Sequence, residues 1–102
     1  MIFIEDHEFQ KRRERLLVED EFFELLDWLA VYPGSGSVIR GSGGLRKIRW
    51  AAQGHGKRGG LRIIYFWWLV SDRILLLDIY AKSKKENLAA AEIAKLKRKV
   101  IP

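Results

Sequence analysis

The chain has 102 residues, 48% of them hydrophobic, no cysteine, and a formal net charge of +6 from nineteen Lys and Arg against thirteen Asp and Glu. This composition excludes a disulfide scaffold, a thiolate metal site and a disordered polyelectrolyte, and no apolar run approaches the roughly 18 residues of a membrane span. It fits one domain over residues 1–102 that buries a core without staples, and its excess of base points to a polyanionic partner.

In chain order, residues 2–5 read as a short opening strand. Asp6 is a candidate N-cap for a helix that begins its core face at Phe9 and runs to about residue 17. A second helix is expected over about 21–32, where Phe22, Leu25, Leu26 and Leu29 follow helical spacing. Glu19, Asp20 and Glu21 sit at its start, where the helix dipole favours acids. Pro33 and Gly34 stop it. The two helices are expected as an antiparallel pair on one face of a sheet.

A flexible connection and a short extended piece at 38–40 follow. All nine glycines lie between Gly34 and Gly60, so the backbone there turns sharply or approaches something closely. Residues 45–51 alternate as a strand and 53–60 form a loop. A second strand is expected over 61–69, and a third, near-continuous in apolar residues and therefore central, over 74–81. Short connections make these strands an antiparallel meander. A last helix is expected from about residue 85 or 86, with Ser83 or Asn87 as cap, ending in the basic run at 95–99. The fold class is therefore α+β: a strand and two helices packed on an antiparallel meander, closed by a C-terminal helix.

Charge is unevenly placed along these elements. Residues 5–27 hold nine acids and four bases, whereas residues 28–71 hold seven bases and no acid. Six of those bases, Arg46, Lys47, Arg49, Lys57, Arg58 and Arg62, flank or occupy the stretch around His55. A segment that folds without acids is suited to meet an anion. The residues offer no zinc spacing, no phosphate-loop motif and no nucleophile triad. A basic surface with one histidine and nearby aromatics suits phosphodiester chemistry on RNA, in which cations stabilise charge building on the phosphate. Strand alternation puts Lys47 and Arg49 on one face and Arg46 on the other, with Ile48 and Trp50. The Lys47–Arg49 face is the expected groove wall, with Arg62 beside it. Trp67 and Trp68 read as core or partner interface, and the basic run at 95–99 as a solvated helix end. A basic domain that binds RNA or the ribosome without cutting is a reading the residues leave open.

The segments GGLRKIRWAAQGHGKRGGLRIIYFW and ILLLDIYAKSKKENL together resemble the RelE-type toxins of bacterial type II toxin–antitoxin systems, most of all the HigB-like branch. The likeness covers residues 43–88. It implies an RNase-like α+β fold and a ribosome-dependent endoribonuclease, an mRNA interferase that cuts messenger RNA in the ribosomal A site of the 70S ribosome without metal or other cofactor. It also implies a cytoplasmic protein neutralised by a cognate helix-turn-helix antitoxin. By position, Arg62 matches the phosphate-stabilising arginine, and Lys47 and Arg49 the basic strand that lines the site. Lys82 and Lys84 match a segment supplying further catalytic or RNA-contacting residues. Arg46, His55, Lys57 and Arg58 are the candidate RNA contacts. A related fold also serves toxins that inhibit DNA gyrase without nuclease chemistry.

Overall fold

The computed structural model describes residues 1–51 and 60–100. The elements in order are β1 (Ile2–Glu5), α1 (His7–Leu16), α2 (Glu19–Val31), β2 (Ser37–Val38), β3 (Arg46–Trp50), β4 (Leu61–Trp68), β5 (Arg73–Ala81) and α3 (Ala90–Val100). They form a five-stranded sheet in the order β1-β5-β4-β3-β2. The meander β3-β4-β5 is antiparallel, as its short connections require. β1 joins β5 in parallel, through the long crossover made by α1, α2 and the meander. β5 is thus internal, flanked by β1 and β4.

Local sequence accounts for the helix boundaries. The Asp6 carboxylate accepts a hydrogen bond from the Glu8 N–H at 3.1 Å and so caps α1. α2 begins two residues earlier than its apolar spacing indicates. The Glu21 carboxylate reaches back to the Val18 N–H at 3.1 Å and satisfies a donor ahead of the first turn. α3 begins later than expected, at Ala90, and neither Ser83 nor Asn87 caps it. Instead the Glu92 carboxylate accepts from the Ala89 N–H at 2.9 Å. Residues 82–89 are turn and coil, which leaves the lysines there outside any helix.

The sheet is covered on both faces. α1 and α2 lie on one face, where Phe9, Leu25 and Leu29 pack with Ile63, Tyr65, Leu76 and Ile79. α3 lies on the other, where Leu96 packs with Leu45, Ile64, Leu77 and Tyr80. Strands β4 and β5 therefore read as apolar on both faces. Two inward positions break that rule, Arg62 and Asp78, which are 5% and 3% exposed.

A bulge sets which side chains share the α3 face. Ile64 pairs with Asp78 but Tyr65 pairs with Leu76, so Leu77 is an extra residue on β5. Before it, Ile74 and Leu76 face the α1–α2 core. After it, Ile79 and Ala81 do, and Tyr80 faces α3. Strict alternation places Tyr80 on the α1–α2 side, because a one-residue shift moves every later side chain to the opposite face.

Candidate active site

At the end of the sheet where β3 finishes, β4 begins and β5 finishes, three side chains fall in one row across the α3 face. Arg49 on β3 is directly opposite Arg62 on β4, and Arg62 is directly opposite Tyr80 on β5. Opposed residues in an antiparallel ladder share a face with Cβ atoms roughly 5 Å apart. Lys47 lies two residues along β3 on the same face. Gly60 makes this register achievable. It holds φ at +63°, and a Cβ there would stand 3.3 Å from the Trp50 carbonyl oxygen. Only glycine combines that backbone with that approach.

The electrostatics of the row are unusual. Arg62 is buried, yet its guanidinium has no carboxylate partner among the described residues. Its one hydrogen bond there runs from Nη1 to the carbonyl of its own neighbour, Leu61, at 3.3 Å. Arg49, directly opposite, adds a like charge, an arrangement that destabilises a sheet. Asp78, the only acid on β5, is engaged elsewhere. It accepts a close ion pair from Arg12 and a 2.9 Å hydrogen bond from the Ile79 N–H. A buried cation left unpaired is costly and is relieved by an anion brought from outside.

Tyr80 completes the row. Its hydroxyl is buried and has no hydrogen-bond partner among the described residues. Burial pushes the phenol above its ordinary value of 10.0, the charge of Asp78 adds to that, and Arg62 opposes it. The hydroxyl therefore keeps its proton and is a donor lacking an acceptor. The Lys85 ammonium lies 4.7 Å from the Tyr80 ring centroid and also pairs with Glu92. Sequence reasoning treats Tyr80 as a strand residue of the core. The bulge that turns it toward Arg62 leaves no periodic signature.

The remaining candidates divide. Lys47 borders the row and donates to the Asn87 side chain at 3.0 Å. Lys82 and Lys84 come to the same end of the sheet through the turn after β5, where the Lys82 N–H bonds the Gly60 carbonyl at 3.2 Å. Arg46 is not brought into this group. It lies on the other face and donates to the carbonyls of Gly34 and Gly36 at 3.2 and 2.9 Å, beside the Trp67 ring. His55, Lys57 and Arg58 lie outside the described residues. Trp67 packs on the α1–α2 core and Trp68 on the α3 core, as core aromatics. Among the described residues no three His, Asp or Glu side chains are grouped to hold a metal ion.

No family model matches the sequence. Among solved structures, the chain is similar to the E. coli toxin RelE in a free-state mutant carrying two arginine-to-alanine substitutions. The TM-score is 0.62 over 99% of this chain and 97% of that one, at 16% sequence identity. The chain folds as RelE does. The α+β class expected from the sequence, with helices against a largely antiparallel sheet, is the class found.

Proposed function

We propose that this protein is a RelE-superfamily toxin of the HigB-like kind, an endoribonuclease that cuts messenger RNA in the A site of the ribosome. The observation that carries the reading is Arg62, a buried guanidinium set between Arg49 and the buried Tyr80 hydroxyl, where among the described residues the guanidinium has no acidic partner and the hydroxyl no hydrogen-bond partner. The RelE fold and the basic strand segments support it. In this reading the 2′-hydroxyl of the substrate attacks the adjacent phosphorus, the P–O5′ bond breaks, and a 2′,3′-cyclic phosphate and a 5′-hydroxyl result. The 2′ proton passes to a base and the leaving 5′ oxygen takes up a proton. Arg62 and Arg49 hold the non-bridging oxygens as negative charge grows on them, and the Tyr80 hydroxyl donates to one of them. Lys47, Lys82 and Lys84 line the approach of the strand. The cellular partners are the translating ribosome and a cognate helix-turn-helix antitoxin, in the cytoplasm.

The test is to induce the protein in a translation extract and map mRNA ends by primer extension, with Arg62→Ala alongside. Codon-phased cuts in the A site that fall at least 100-fold in the variant are expected, the loss typical of removing one stabilising donor. Intact mRNA under growth arrest overturns the reading and points instead to gyrase inhibition or to ribosome binding without chemistry.

A further inference from the structure

A cleft of about 550 Å³ opens at the outer edge of β3, within the range of small-ligand sites. It exists because β2 is only two residues long. Ser37 and Val38 pair with Lys47 and Arg46, and the chain before Ser37 then peels away from the sheet. That leaves the edge of β3 from Ile48 to Trp50 without a neighbouring strand among the described residues. Trp28 of α2 and Trp50 flank the cleft, Ser35 and Ser37 supply hydroxyls, and Lys47 and Arg49 supply charge.

Trp28 is held in place although it is 43% exposed. Its indole N–H donates to the Ser35 hydroxyl at 3.0 Å, and its ring packs on Tyr32 with centroids 4.5 Å apart. The loop that presents Ser35 is fixed in turn. The Tyr65 hydroxyl donates to the Pro33 carbonyl and accepts from the Gly36 N–H, while Arg46 bonds the carbonyls of Gly34 and Gly36. An exposed aromatic ring held by Tyr32 and through its indole N–H is a preorganised platform.

Charge decides what the platform receives. Among the described residues no acid lines the cleft, and the cations there are Lys47 and Arg49. Arg49 is also directly opposite Arg62, so the cleft continues the candidate active site at a distance of about one strand spacing. We infer that the cleft is a nucleobase subsite: an unpaired base next to the cut phosphate enters between Trp28 and Trp50 and stacks on the Trp28 ring, while Lys47 and Arg49 hold the connecting phosphate. Unpaired RNA bases are commonly read by such stacking, with polar groups testing their edges. Ser37 is placed for the second role. The inference rests on the RNA-cutting reading and gives it a source of sequence preference.

The test titrates the full chain with a 2′-O-methyl trinucleotide RNA, which the proposed reaction leaves uncut, and follows tryptophan fluorescence. Trp28→Ala is expected to weaken binding about tenfold, and Trp28→Phe, which keeps an aromatic ring, to weaken it much less. An abasic trinucleotide is expected to bind the wild type as poorly as the intact one binds Trp28→Ala. Equal affinity of wild type and a folded Trp28→Ala overturns the subsite. That result is also expected if the open edge of β3 takes a peptide strand instead. Primer extension on translated mRNA separates the two readings. Binding that depends on Trp28 without any cutting keeps the subsite and removes the nuclease. Cutting with the same base preference in wild type and Trp28→Ala does the reverse.

Discussion

Arg62 sits where the pattern of β4 calls for an apolar residue on the α3 face, in line with Ile64. A buried charge without a carboxylate partner among the described residues lowers stability at such a position. Tyr80 poses the same problem in neutral form, as a buried hydroxyl with no acceptor among the described residues. Removing an unpaired polar group relieves its desolvation and leaves nothing unsatisfied behind. Arg62→Met and Tyr80→Phe are therefore expected to melt at or above the wild-type temperature by calorimetry. Tyr80→Phe is also expected to cut about 100-fold more slowly. A drop in melting temperature for Tyr80→Phe assigns the hydroxyl to structure. Arg49 and Lys47 were separable from Arg46 by alternation alone, because a strand of five residues admits one division into faces.

At the scale of elements, the loop between α2 and β2 is held by a buried hydroxyl together with the Arg46 guanidinium. Tyr65 bonds the Pro33 carbonyl at 2.8 Å and the Gly36 N–H at 2.9 Å. A Cβ on Gly36 would lie 2.8 Å from the Tyr65 ring, so the loop is built closely around it. Tyr65→Phe leaves the buried Gly36 N–H without its acceptor, a cost of about 1–3 kcal/mol. Thermal unfolding is expected to show a lower midpoint, with altered Trp28 fluorescence as Ser35 loses its position. The sequence signals for α1, for the end of α2 and for the three meander strands were local, and each element forms near its expected place. α3 was misplaced at its start because a cap read from residue type, Ser83 or Asn87, competes with a carboxylate reaching back from inside the helix. Spacing shows both candidates and does not rank them.

On the scale of the whole molecule, α3 is tied to the start of α1 by charge across the termini of the fold. Lys99 donates to Asp6 at 2.8 Å and to Glu8 at 3.4 Å, and Lys95 reaches Glu8 at 3.4 Å. The charge of Lys99 is the main cause that holds the Glu8 carboxyl below its ordinary value of 4.5, followed by its hydrogen bond. A carboxyl lowered on folding stabilises the native state above its unfolded pKa, and that stabilisation is lost as pH falls through the folded one. Lys99→Ala is thus expected to melt below the wild type at neutral pH. The gap should narrow as pH falls below 4.5 and the Glu8 carboxyl takes up its proton, and also in high salt, since Glu8 is solvent-facing and screened. A gap that persists in acid assigns the effect to packing of the lysine stem.

Taken alone, the sequence determined the α+β class, the order of the elements and the acid-free, basic middle of the chain. Those properties reside in residue type and short-range spacing. Tertiary structure decided three further matters. β1 pairs in parallel with β5, a partner about seventy residues away that no local signal names. The bulge at Leu77 turns Tyr80 toward Arg62, reversing the face that strict alternation assigns. The two-residue length of β2 opens the edge of β3 beside Trp28. Each depends on register between strands, and register is set by how whole faces pack rather than by the residues of any one strand.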